Sequence, residues 1–406
     1  MKNKIQKRTR FFRLLLLFMA LFFISVFAKE TKAAVGTGFY GNAVYYNGVK
    51  IGTVTKKTRV TYIPSSDGNA NYNRLTYLLS GNDKRTVVIP KGSNIFVNGP
   101  LRPGSNKTIV ATGAKLTFKS GSNAIFTEPN KHVSNLKIKG GTWRSKDKYG
   151  RTGSLFVFAF ATNVRMTGVD CNANYIGHSI EIIACNKVTI KNCKVAAIGK
   201  NPANCLEEQI QIDLATKKTA PKIAEYGSQY AKGQTCKNIY IIGNTVSGAR
   251  PVGVNWSYAE KNKWINKFHE NIVIKNNNLT ATTSEGLSYF NCVSGEISGN
   301  TVVTKATRKT SNGAYTVGIH VAVFGTVPAS QKNKTLTIKN NLVWGNRNGI
   351  HIKGYCGKGS RVVSAYGKVK VTGNAAFCKK GAASAIVCYA GSCKSYTASK
   401  NTAFKW

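Results

Sequence analysis

NIVIKNNNLTATTSEGLSYFNCVSGEISGN, residues 271–300, holds one short phrase twice, ending at Asn277 and again 23 residues later at Asn300. Apolar residues sit at alternate positions (Ile272 and Ile274, then Ile297), and an Asn or Gly turn follows. Period-two alternation closed by such a turn marks a strand with one buried face. Working outward, the phrase recurs as NLKIKGG at 135, NVRMTGV at 163, KVTIKNC at 187, NIYIIGN at 238, TLTIKNN at 335 and KVKVTGN at 368. Superposing the copies puts Asn244, Asn277, Asn300, Asn341 and Asn374 in one column, with Cys193 one coil earlier. The longer intervals of 33, 41 and 51 residues read as the same unit with inserted loops.

A second strand precedes each phrase: LFVFAFA at 155, HSIEIIA at 178, EQIQIDL at 208, PVGVNWS at 251, GIHVAVF at 318 and GIHIKGY at 349. Units this short cannot bury an apolar face alone and must stack on their neighbours, which is the signature of a solenoid. With strands, Asn/Gly turns and no helical periodicity, the predicted class is all-β, a parallel β-helix. Turn asparagines stacked in one column hydrogen-bond along a ladder. The column is therefore assigned to folding.

The amino-terminal stretch NYNRLTYLLSGNDKRTVVIPKGSNIFVNGPLRPGSNKTIVATGAKLTF, residues 71–118, resembles the opening of the pectate-lyase-like and polygalacturonase-like right-handed β-helices. The resemblance implies a single-stranded right-handed parallel β-helix with an amino-terminal capping segment, Asn73 to Leu79 as the cap and Thr86 to Phe118 as the first coils. A cap answers a physical need, because an open solenoid end is an unpaired strand edge. The domain reading is a signal peptide over 1–33, an extension over 34–59 and the β-helix over 60–400.

The chain carries 59 Lys+Arg against 15 Asp+Glu, a formal charge of +44, yet 42% of it is hydrophobic. That content supports a folded core rather than disorder. Lys2 to Arg13 followed by the apolar run Leu14 to Ala28 has the order of a secretory signal, with cleavage after Ala28 or Ala33. The run falls short of the roughly 20 residues of a spanning helix. Loss of 1–33 removes eight basic residues and Glu30, leaving about +37 on an extracellular, bacterial protein with no membrane span. Ten cysteines, all beyond residue 170, fit either disulfides or buried apolar thiols.

Strand alternation turns Glu181, Gln211, Gly253, His320 and His351 into one outward column, with Asp213, Asn255 and Lys353 in the next. Glu207 and Glu208 precede this face; Trp256 and Tyr258 follow it. In a chain with 15 acids and 5 histidines this gathering is the candidate site. His132 and His178 are read as structural or solvated.

Two chemistries fit. Hydrolysis needs two carboxyls, one acid and one base or nucleophile, and Asp213 with Glu181 or Glu208 is the pair. Polygalacturonases carry NTDG, DD, HG and RIK motifs, of which only HIK at 351–353 is similar. Elimination beside a uronate carboxylate needs a base and cationic neutralisation. Lys353 or His351 is then the base, and Arg250, Arg347 or His320 binds the carboxylate. Elimination is the first expectation, with a non-catalytic extracellular β-helix that binds cell-wall or host polyanions as one alternative and a glycoside hydrolase as the other. Gln211, Asn255, Trp256 and Tyr258 are expected to bind sugar, as are the insertion from Lys217 to Lys237 and the loop reaching Trp264 and His269. Many β-helix lyases use calcium; with no three acids aligned in neighbouring coils, no metal or other cofactor is expected. The basic charge predicts a polyanionic partner, and export of a β-helix without a nucleic-acid motif directs that expectation to an anionic polysaccharide rather than nucleic acid, met by a monomer.

Overall fold

The computed structural model describes residues 35–146, 153–175, 177–199, 205–255, 259–260, 263–264, 266–307, 316–355, 366–382 and 384–406. The signal segment, Trp256 and Tyr258 lie outside them. The chain divides into a unit ending at Gly52 and a unit Thr53–Trp406. In the first, strands Gly38–Tyr40 and Ala43–Tyr46 pair antiparallel.

The second unit is the solenoid. Its coils build three parallel sheets, and each coil between Lys107 and Cys388 contributes one strand to each. Sheet 1 starts with Arg59–Tyr62 and Arg85–Val88 and ends with Cys393–Ser399; it contains every copy of the repeated phrase. Sheet 2 has 11 strands, from Asn94–Val97 to Thr402–Lys405. Sheet 3 has 9, from Ile125–Phe126 to Ile386–Cys388. Inward residues stack in register: Ile138, Met166 and Ile190 in sheet 1, Ile182, Ile212 and Val254 in sheet 3, all essentially sealed from solvent. Trp143, wholly buried, stacks on Phe118 at 5.8 Å.

The cap is a helix over Gly68–Leu79, five residues longer at its start than the sequence suggests, because Asp67 is the N-cap and accepts from the Asn69 backbone N–H at 2.9 Å. Leu75, Leu78 and Leu79 point into the first coils. Asn71, also buried, accepts from Tyr62 Oη at 2.7 Å and donates to the Phe96 carbonyl at 3.0 Å, so this inward amide is fully occupied.

The asparagine column forms a continuous ladder. Oδ1 of each member accepts both the backbone N–H and the Nδ2 of the previous one, at 2.9–3.0 Å, from Asn244 through Asn277, Asn300, Asn341 and Asn374 to Asn401. The Cys193 backbone N–H starts it by donating to Asn244 Oδ1. Each Nδ2 also donates to a carbonyl inside the coil, Ile274 for Asn300. A second line of asparagines precedes sheet 1: Asn163 donates to Asn135 and Asn135 to Asn106, each at φ between 56° and 61°. Asn is among the few side chains that tolerate this left-handed conformation.

Candidate functional site

The outer face of sheet 3 carries the site. Strand pairing places Glu181 opposite Gln211, Gln211 opposite Gly253, and His320 opposite His351, as alternation required. Between Gly253 and His320 the strand Leu287–Phe290 intervenes and adds Ser288 to the column. In the next column Asp213 lies opposite Ile183, and Lys353 opposite Ala322. The two columns end in different chemistry.

At the amino-terminal end Glu181, His178 and Glu207 line a pocket of about 260 Å³ with Ser154, Phe126, Val157 and Lys222. Ser154 Oγ donates to Glu181 Oε2 at 2.5 Å. His178 Nδ1 lies 2.6 Å from the Glu208 carbonyl, so it carries the proton there, and Nε2 faces Glu207 Oε2 at 3.5 Å. Burial works against a charged His178, but the carboxylates of Glu181, Glu208 and Glu207 together outweigh it and raise its pKa. His178, read from sequence as structural or solvated, lines this candidate pocket. Its position just before the strand, where alternation no longer sets direction, concealed this.

Asp213 is wholly buried one strand further on. Its Oδ1 accepts from the Leu214 N–H at 2.7 Å. Burial first, then Glu181 and Glu208, push its pKa well up, with hydrogen bonds from Leu214 and Asn255 opposing. It is a buried acid whose neutral form burial favours, not an open one. The insertion from Lys217 to Lys237, containing the helix Pro221–Ala224, lies over sheet 3 as expected. Ile223 and Tyr226 pack on Phe126, and Tyr230 packs on Phe160. Its aromatics are thus engaged in packing, while Lys222 reaches the pocket.

Three acids do come together across neighbouring coils here, Glu181, Glu207 and Glu208, which aligning the coils by sequence did not reveal. Ligand atoms of His178, Glu207 and Glu208 lie within 4.8 Å of one another, close enough to hold a metal ion. Arg250 already neutralises Glu208, however, and the imidazole is bonded to a backbone carbonyl. The set is better suited to holding a proton.

Arg250 links the two ends. Its Nη1 donates to Glu208 Oε1 at 2.6 Å and its Nη2 to Glu285 Oε2 at 2.8 Å, with Ser284 Oγ within 3.2 Å. The guanidinium is buried and fully engaged, so it is not the open uronate ligand the sequence suggested. Gly253 makes room for this: a Cβ there would collide with the Glu208 side chain. Glu285, missed by sequence reading, is held well below the usual carboxylate range despite its burial, by Arg250 and then His320. His320 Nδ1 lies 3.1 Å from Glu285 Oε1.

The carboxy-terminal end is basic and aromatic. His320 and His351 meet edge to face at 4.9 Å. Burial, then His320, Arg347 and Lys353, lowers the His351 pKa to about 2, so this imidazole is neutral and weakly basic. Lys353 Nζ sits 4.4 Å from the Tyr355 ring and 4.6 Å from Tyr389. Burial and then Arg347 depress its pKa. Gln211 Oε1, Ser288 Oγ, His320 Nε2 and His351 Nε2 are buried without a protein partner. His269, placed in a sugar-binding loop by sequence, is buried between the Cys236 N–H at 3.1 Å and the Asn255 carbonyl at 2.9 Å, with its pKa lowered by burial to about 4. No helix among the described residues is long and apolar enough to cross a membrane.

No family model and no curated protein matches this chain. Among solved structures, the Streptococcus pneumoniae surface protein and adhesin PfbA matches at TM-score 0.50 and 14% identity, over 82% of this chain and 93% of its own. An endo-xylogalacturonan hydrolase from Aspergillus tubingensis matches at 0.48 and 14%, over 86% and 93%. A tailspike double mutant of E. coli bacteriophage HK620 matches at 0.45 and 12%, over 82% and 61%. The first of these bears on fold alone and agrees with the three parallel ladders.

Proposed function

We propose that this right-handed parallel β-helix is an extracellular protein that draws an anionic, uronic-acid-type polysaccharide onto the outer face of sheet 3 and cleaves it in the Glu181 pocket. The observation that carries the reading is the gathering of Glu181, Glu207, Glu208, Asp213 and Glu285, five of 15 acids, on one face of a chain with 59 basic residues. The surrounding charge attracts a polyanion, and the acidic pocket supplies proton chemistry. His178, whose pKa its carboxylates raise, donates a proton to the departing glycosidic oxygen. Glu181, held by Ser154, takes one from the attacking water. Lys222 offers the sugar carboxylate a cation at the pocket wall.

Elimination is the second reading, and Lys353 favours it: its lowered pKa suits a base, and Arg347 beside it suits a uronate. Incubation with polygalacturonate, alginate and glycosaminoglycans separates the two. Hydrolysis releases reducing ends without unsaturated-uronate absorbance, and Glu181→Gln lowers the rate by about 10²–10⁴-fold. Elimination produces that absorbance, and Lys353→Ala abolishes it. Salt-sensitive retention of all three glycans without any product overturns cleavage of them and leaves a binding protein.

A further inference from the structure

Of the nine described cysteines, seven are buried and two, Cys388 and Cys393, are half-buried. Those two sulfurs lie 3.8 Å apart. The four residues between them form a tight turn: the Ser392 N–H donates to the Tyr389 carbonyl at 3.0 Å, and Gly391, at φ 78°, occupies the left-handed position that a type II turn reserves for glycine. The turn therefore holds the flanking side chains against each other. Cys185 and Cys236 also approach, the Cys185 N–H lying 3.4 Å from Cys236 Sγ, but both are about 1% exposed and closed to any oxidant.

We propose that Cys388 and Cys393 form a disulfide that clamps Tyr389 over the basic end of sheet 3. The Tyr389 N–H donates to the Ile352 carbonyl at 3.0 Å, and its ring covers Lys353 Nζ at 4.6 Å and the His351 ring at 5.1 Å. Ser392, in the same turn, accepts from the Gly354 N–H at 3.1 Å. A crosslink across this turn holds in place the residue that covers Lys353 and His351. The inference rests on the turn and the sulfur contact, and is independent of which bond the protein cleaves.

The oxidant is a disulfide, either a small molecule or an oxidised thiol–disulfide exchange protein. One cysteine loses its proton and its sulfur attacks that disulfide, expelling one thiolate. The second cysteine, deprotonated in turn, attacks the mixed disulfide and expels the other. Two protons and two electrons pass from the cysteines to the oxidant, which leaves as two thiols. Burial, then Cys393, pushes the Cys388 thiol up to about 12, so attack at neutral pH is slow and benefits from an exchange catalyst.

The test uses the full chain equilibrated with oxidised or reduced glutathione, then denatured in an alkylating reagent and cleaved with trypsin. Both cysteines fall in one peptide, 381–394. After oxidation that peptide is expected without alkyl groups and lighter by two hydrogens, while the peptides of the seven buried cysteines are alkylated. In the reduced sample it carries two alkyl groups. Amide exchange over 386–392 is expected to be roughly tenfold slower in the oxidised form, a difference lost in Cys393→Ser. Alkylation of both cysteines after oxidation, or bridging of either to another cysteine, overturns the crosslink. Equal exchange in both forms overturns the clamp.

Discussion

Two lines of buried polar residues climb this solenoid, and they differ in what their hydrogen-bonding groups meet. In the asparagine ladder each amide from Asn244 to Asn374 finds its partners in the next coil and in an interior carbonyl. On the outer face of sheet 3, Gln211, Ser288, His320 and His351 each keep a buried atom that no protein group meets. A closed line serves folding, because leaving any member unpaired costs stability. An open line at the same depth has donors and acceptors left to offer a group from outside the chain. Buried atoms without a protein partner also occur at Thr76, Arg144, Asp170 and Tyr366, so what marks the sheet 3 line as a candidate site is that its members share one strand column.

One stretch of sheet 3 breaks that division. Arg250 with Glu208 and Glu285 is a closed ionic group inside the open line. Arg250→Met leaves two buried carboxylates without their cation, and the expected loss is about 3–5 kcal/mol in denaturant unfolding. A loss under 1 kcal/mol would mean that solvent reaches these acids and that the face is looser than its burial implies. Asn300→Ala is the matched cut in the ladder. It deprives the Asn277 N–H and Nδ2 of their acceptor and the Ile274 carbonyl of its donor, for an expected loss of about 2–3 kcal/mol and no change in glycan binding.

The ladder was legible in sequence because its members recur at the end of a strongly alternating phrase. The outer column was legible for the same reason at Glu181, Gln211, Gly253, His320 and His351. Ser288 was not, since in LSYF all four residues are buried and no alternation shows. His178 and Glu285 escaped for another reason. Both precede the apolar start of a strand, at the corner of the coil, and their partners across coils lie 30–35 residues away in sequence. Strand period says nothing about contacts made across coils at a corner. The histidine end was found in sequence, but the engagement of Arg250 was not, because it depends on Gly253 leaving space for Glu208.

Titration separates the closed and open groups as well. The raised pKa of His178 means that its protonated form is stabilised by folding: the contribution is complete below the ordinary value of 6.5 and is lost as pH rises through the higher folded value. The lowered pKa of Glu285 has the opposite sign, with its contribution complete above 4.5 and lost as pH falls toward the folded value. The thermal midpoint is therefore expected to decline on both sides. His178→Asn should lessen the alkaline decline, and Glu285→Gln only the part of the acid decline below pH 4.5, because His269 and His351, buried neutral, also lose stability as pH falls below 6.5. A decline above pH 6.5 that persists in His178→Asn would assign it to another group.

The smallest expected effect is the most discriminating. The Ser288 hydroxyl is completely buried, has no protein partner, and stands between Gly253 and His320 in the outward column. Removing a buried polar atom that makes no bond forfeits nothing and relieves a desolvation cost, so Ser288→Ala should leave stability unchanged or raise it by up to about 0.5 kcal/mol. The same change in a closed line is destabilising, as in Asn300→Ala. If Ser288→Ala instead costs more than about 1 kcal/mol, the hydroxyl has a structural partner, and the contrast between the two lines fails at its most buried point. If stability holds while glycan retention weakens, the unmet atoms of sheet 3 are the part of this scaffold that faces its ligand.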